Sequence, residues 1–210
     1  LHDLAAVLEE TAADDAALAE AAALYGQAAE AGHTRSAVSL GMLYQNGRGV
    51  AQDFARARAL YEGPAAAGDA RAQNNLGLLY VRGHGVPQDY DRAAQLFAGA
   101  AEQGLRTAMT NLGVMYDNGY GVPRDDKEAV KWYRLAADQW NADGQAWLGW
   151  MYAHGRGVPE DEKEAVRWFR LAADQGHAEG ESSLGMMYEN GRGVPQDDKK
   201  AAKWYRKAMD

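Results

Sequence analysis

Cysteine is absent from this chain of 210 residues. That excludes disulfides, thiol nucleophiles and thiolate metal sites together, and it is compatible with an oxidising or a reducing compartment. Positive charge is also scarce: 22 lysines and arginines face 30 aspartates and glutamates, for a net charge of −8. Binding to a phosphate backbone or an anionic membrane rests on clustered basic residues, so nucleic acid and membrane surfaces are not expected partners. No apolar run approaches the length of a membrane span, and the start lacks the basic and apolar regions of a signal peptide. The chain is expected to be soluble and, because it begins with Leu1, to be a processed product or an excised domain. Hydrophobic residues make up 47% of it, enough for a sizeable core.

What the chain does have is repetition. "NGRGV" at position 46 returns as "RGHGV" at 82, "NGYGV" at 118, "HGRGV" at 154 and "NGRGV" at 190, each 36 residues after the last. A fixed period of this size marks stacked supersecondary units, none of which buries its apolar face alone. Two helical patterns alternate within each unit. In the first, Ala72, Leu76 and Tyr80 share a face at i, i+4 and i+8. In the second, Ala129, Trp132, Tyr133 and Ala136 fall at i, i+3, i+4 and i+7.

Several columns of the array have simple physical readings. Gly41, Gly77, Gly113, Gly149 and Gly185 lie inside first helices, where glycine is unfavourable unless a neighbour packs closely. They are expected to meet the second helix. The first glycine of each GxG is expected to end the first helix in a left-handed conformation, and the second to allow a tight reversal. Asp53, Asp89, Asp125, Asp161 and Asp197 are natural N-caps, and Asp125 with Glu128 and Asp161 with Glu164 have capping-box spacing. Pro64 interrupts an alanine column and predicts that its helix ends early or kinks.

The pattern A-x-x-x-L-G-x-x-Y-x-x-G-x-G-V-P-x-D at 72–89, with its copies, resembles the Sel-one-like repeats, α/α relatives of the tetratricopeptide repeats. The resemblance implies an all-α, right-handed superhelical solenoid of antiparallel helix pairs. Residues 1–33 are then N-terminal capping helices with an incomplete leading repeat. Five repeats follow at 34–69, 70–105, 106–141, 142–177 and 178–210, as one solenoid domain. It implies an adaptor or scaffold for a protein or peptide partner, often bacterial, at the cell envelope or in signalling, with the periplasm suspected and the cytoplasm open. A monomer is favoured.

Individuality lies in the departures. Trp140 stands where other repeats have Gly32, Gly68, Gly104 and Gly176. Trp147 replaces Ser39, Asn75, Asn111 and Ser183, and Trp150 enlarges an apolar position. The three rings are placed near one side of the first helix and are able to form a patch, while burial of any of them in the core is the competing reading. Trp140 is equally compatible with plugging a gap between repeats, and Trp150 with the core. Trp132, Trp168 and Trp204 follow second-helix periodicity and read as packing. By resemblance, first helices line a concave groove, and the residue before each Leu-Gly pair points into it: Ser39, Asn75, Asn111, Trp147 and Ser183. A second lining column runs Arg35, Arg71, Thr107, Asp143 and Glu179, from basic to acidic. The candidate partner-binding residues are therefore Arg35, Ser39, Arg71, Asn75, Asn111, Asp143, Trp147, Trp150, Glu179 and Ser183.

No enzyme is expected. The five histidines show no dense ligand spacing and read as solvated loop residues, so no metal or other cofactor is implied. The resemblance raises hydrolysis of β-lactams, but Ser39, Ser182 and Ser183 begin no S-x-x-K motif. A structural spacer or regulatory subunit, docking through its ends or convex face, is the main alternative to a groove-binding scaffold.

Overall fold

The computed structural model describes residues 1–12 and 14–209. Among these residues there are twelve helices and no strand. They fall into two compact units, Leu1–Gln103 and the part from Gly104 onward. The first contains α1 (His2–Thr11), α2 (Asp15–Glu30), α3 (Thr34–Asn46), α4 (Phe54–Ala66), α5 (Ala70–Arg82) and α6 (Tyr90–Glu102). The second contains α7 (Arg106–Asn118), α8 (Asp126–Asp138), α9 (Ala142–Ala153), α10 (Glu162–Ala173), α11 (Ala178–Asn190) and α12 (Asp198–Lys207). Within each unit every helix packs on the next, and α9 also touches α7 and α11. First helices of successive pairs thus form a row in the second unit.

The glycine column explains how tightly each pair closes. A Cβ built on Gly77 would lie 2.7 Å from the Phe97 ring, and one on Gly113 2.6 Å from the Tyr133 ring. Gly149 and Gly185 meet Phe169 and Tyr205 in the same way, at 2.8 and 2.9 Å. The ring of each second helix therefore fills a slot that only a missing side chain leaves open. Tyr61, Phe97, Tyr133 and Phe169 are all essentially inaccessible.

The loops follow the expected chemistry. Gly47, Gly83, Gly119 and Gly191 end their helices in the left-handed conformation. The second glycine does more than reverse the chain: a Cβ on Gly157 would sit 2.1 Å from the carbonyl oxygen of Asp126, at the start of the preceding second helix. Each aspartate cap accepts a backbone N–H, as Asp125 does from Glu128 at 3.1 Å. The reciprocal half of the capping box is not made by the backbone of Asp125, whose N–H donates to the Tyr116 carbonyl at 3.0 Å. Glu128 pairs with Lys131 instead.

Pro64 does not shorten its helix. α4 runs through it to Ala66 and has the same 13 residues as α6 and α8. The proline stands in the last turn, and Gly63 before it offers no Cβ to collide with the ring. Among the second-helix tryptophans, Trp168 is buried, and Trp132 and Trp204 are half-buried beneath the cations of Lys131 and Lys207.

Candidate functional site

The departures converge on α9. Its start is fixed by Asn141, whose side chain accepts the Gly144 N–H at 2.7 Å and the Thr110 hydroxyl at 2.8 Å. Leu148 and Met151 are inaccessible on its inner face. Its outer stripe carries Asp143, Trp147, Trp150 and His154 at i, i+4, i+7 and i+11. The polar side chains of α9 are Asp143, Gln145 and Tyr152, the rest of the helix is apolar, and Trp147 remains 38% exposed.

Between α9 and α11 lies a cleft of ≈ 310 Å³ lined by Asp143, Trp147, Trp150, His177, Glu179 and Ser183. Phe169 of α10 contributes as well. Five of the ten residues singled out from the sequence therefore meet in one place. The Trp147 and Trp150 rings pack edge to face with centroids 6.4 Å apart. Trp147 also stacks on Tyr133 at 5.9 Å and 12°, while Trp150 carries His154 at 4.3 Å and the Arg156 guanidinium at 5.1 Å. Trp150 is half-buried and packs against both apolar clusters of the second unit, so it is part core and part lining.

Trp140 is outside this cleft. It is 63% exposed and fills no gap between repeats. It is the one non-glycine residue with positive φ (59°) among the described residues, where Gly32, Gly68 and Gly104 have φ of 87°, 90° and 90°. The column is a helix-terminating one, and the ring is carried outward by it.

His177, read from sequence as solvated, has two partners. Its Nδ1 accepts the Gly180 N–H at 3.1 Å and caps α11, which leaves the proton of the neutral ring on Nε2. Nε2 donates to Asp143 Oδ1 at 3.0 Å, and Glu179 lies 3.6 Å away. The hydrogen bond with Asp143 raises the imidazole pKa against the opposing effect of burial, and the same bond lowers that of Asp143. The signal for the cap was present in the column His33, Asp69, Asn141 and His177, all of which cap first helices. The link to Asp143, 34 residues away, was not.

In the first unit, Arg35 and Arg71 are exposed and Ser39 and Asn75 half-buried. The last two stand close to buried phenols, whose pKa values they lower: Ser39 that of Tyr25 and Asn75 that of Tyr61. Each tyrosine in turn donates, Tyr25 to Glu9 at 3.0 Å and Tyr61 to Gln45 at 3.1 Å. Both phenols are pushed up, Tyr25 to about 12, by burial first and, for Tyr25, by its bond to Glu9. The polar column thus serves the buried ring of the preceding second helix. Asn111, in the second unit, is half-buried.

At Trp147 this arrangement fails. The indole stacks on the Tyr133 ring and makes no hydrogen bond to its hydroxyl, and Asp117, which occupies the place of Gln45, is held by Arg156 at 2.5 Å. The Tyr133 hydroxyl is consequently buried without a hydrogen-bond partner. Arg156 also grips Asp126 at 2.7 Å and draws its carboxyl down to about 2, whereas burial pushes Asp117 up.

Fold and cleft together define a helical-repeat protein with an open cleft between first helices of its second unit. A family model for the Sel1 repeat matches residues 16–33, 34–68, 70–105, 107–139, 142–177 and 178–210, and the chain belongs to that family. Sel1 repeat proteins generally mediate protein–protein interactions and are typically non-enzymatic. The chain is similar to a protective antigen of uropathogenic Escherichia coli with an SLR fold, at 34% identity and a TM-score of 0.82. That match covers 99% of this chain and 44% of the antigen, so the chain spans less than half of that protein's length. It is also similar to a Sel1 repeat protein of Oxalobacter formigenes: 32% identity, TM-score 0.78, 84% of this chain and 70% of that one. A putative Sel1 repeat protein of Klebsiella pneumoniae is 28% identical, with a TM-score of 0.63 over 90% of this chain and 91% of that one. No curated protein matches the chain.

Proposed function

We propose that this protein is an interaction scaffold that holds a peptide segment of a partner protein against the face formed by its first helices. The observation that carries this reading is the α9–α11 cleft, where Trp147 remains exposed on a mostly apolar helix. Half-exposed tryptophan in a concave site is a strong anchor, because one ring supplies a large contact area at little cost in side-chain freedom. In the first unit Arg35 and Arg71 favour an acidic segment, and in the second Asp143 and Glu179 favour a basic one. Ser39, Asn75, Asn111, Trp150 and Ser183 complete the proposed contacts.

Site-directed photocrosslinking tests it. A photoreactive amino acid in place of Ser183 is expected to capture a partner that the same group in place of Lys131, exposed on α8, does not. Replacing Trp147 by Asn, the residue of two other repeats, is expected to abolish the capture. A partner crosslinked from position 131 alone would move the interface to the second-helix side and make the protein a spacer or regulatory subunit instead.

A further inference from the structure

We propose that the α9–α11 cleft receives an organic cation, the lysine or arginine head of the partner segment, against the Trp147 indole and between the carboxylates of Asp143 and Glu179. This rests on the reading of that face as the binding surface, and it names the chemistry of the anchor residue.

Four observations carry it. The cleft, ≈ 310 Å³, is at the small end of ligand pockets and has room for one long side chain with its charged head. Its walls are indoles, whose ring faces attract cations. The molecule already uses this chemistry next door, where the Arg156 guanidinium lies 5.1 Å from the Trp150 ring centre. Its rim bears two carboxylates and no lysine or arginine among the described residues that line it.

While its ring is neutral His177 does not cancel those charges, and because its pKa is raised this holds toward higher pH. With Nδ1 occupied by the Gly180 N–H, the proton it offers Asp143 belongs to the neutral ring, so the hydrogen bond orients the carboxylate while leaving its charge in place. An anionic ligand would meet two carboxylates. An apolar one would strip water from them without replacing it. A cation gains from both carboxylates and from the ring.

The combination is also confined to this place in the array. The columns that give Asp143 and Trp147 give Arg35 with Ser39, Arg71 with Asn75, and Thr107 with Asn111 elsewhere. Only α9 pairs an acid with a tryptophan, and the adjacent α11 adds the second acid at Glu179.

Choline and its neutral isostere 3,3-dimethylbutan-1-ol separate charge from shape. Both are titrated into the intact protein at constant ionic strength, with indole N–H resonances assigned through tryptophan variants as the readout. Choline is expected to shift the Trp147 resonance saturably, and the alcohol to bind about threefold to fivefold more weakly or not at all. Nα-acetyl-lysine methylamide should bind at the same site. Asp143→Asn and Glu179→Gln, both exposed and outside the core, should each weaken choline binding while leaving the fold intact. Equal binding of alcohol and choline, absence of saturable binding by both cations, or indifference to the two carboxamide variants together would overturn the proposal. Failure of the broader reading looks different. Crosslinking from position 183 with no cation binding leaves the scaffold standing and removes the cation. Cation binding with no crosslink at 183 supports the cleft chemistry and removes the peptide.

Discussion

Replacing Tyr133 by phenylalanine is expected to stabilise the protein, although the change deletes a polar atom from a conserved-looking column of buried tyrosines and phenylalanines. The Tyr133 hydroxyl is fully buried and unpaired, because the position that offers Ser39 and Asn75 to other rings holds Trp147. An unsatisfied buried hydroxyl costs about 1–3 kcal/mol. Removing it leaves a void of one oxygen and should return about 1 kcal/mol, or roughly 2–4 °C in Tm for a chain of this size. Phe97 and Phe169 already fill the same slot against Gly77 and Gly149, so the ring itself fits. Tyr61→Phe is the internal control. There the same change deletes the bond to Gln45, at a cost of about 1 kcal/mol. Urea titration followed by far-ultraviolet circular dichroism measures both, with constant m as the check that unfolding stays comparable. In a Trp147→Asn background the benefit of Tyr133→Phe should disappear, since the amide restores a donor. If Tyr133→Phe destabilised the protein as much as Tyr61→Phe does, the account of the orphaned hydroxyl would be wrong.

Gly77→Ala should cost about 2 kcal/mol by urea titration, because its Cβ would lie 2.7 Å from Phe97, whereas Gly26→Ala, whose Cβ meets only Leu40 at 3.8 Å, should gain about 0.5–1 kcal/mol from helix propensity. Asp126 has its carboxyl lowered from 3.8 to about 2, first by the hydrogen bond from Arg156. Its contribution is therefore complete above pH 3.8 and lost as pH falls through about 2. The stability difference between wild type and Asp126→Asn should be about 1–2 kcal/mol near neutral pH and vanish toward pH 2 in a pH series of urea titrations. Asp117, raised by burial first and also by the Asp126 charge, works in the opposite sense, and Asp126→Asn relieves part of that, which offsets some of the difference. Arg156→Met should cost about 2 kcal/mol or more, since it leaves the buried Asp117 carboxylate without its partner; a thermal melt decides it.

Much of the fold was legible because a repeat supplies its own comparison. The glycine column against the ring column, the left-handed glycines and the aspartate caps each follow from local chemistry repeated five times. Features that failed or surprised depend on a particular neighbour. Pro64 keeps its helix because Gly63 precedes it. The capping boxes remain half-formed because the Asp125 N–H is already used by Tyr116. His177 pairs with Asp143 only because the stack brings residues 34 apart in sequence together. The cleft was visible in part: Trp147 stands out as a departure, Asp143 and Glu179 belong to the second lining column and Phe169 follows from the glycine column, but no periodicity pairs His177 with Asp143.

Trp147 joins these two themes. In a column whose other members are serine or asparagine, a ring both exposes apolar area on α9 and deprives Tyr133 of a donor, so one substitution creates the candidate anchor and a local defect beneath it. A sequence optimised for stability alone has two simple remedies, an asparagine at 147 or a phenylalanine at 133, and both residues already occur in sister repeats. That neither is present argues that the tryptophan is retained for what it touches outside the fold. The argument has a measurable form. Trp147→Asn should leave the protein as stable as wild type or more so, while removing the cleft's capacity to bind. Loss of stability by several kcal/mol, as expected for a buried tryptophan, would instead make the ring a packing element and the cleft incidental.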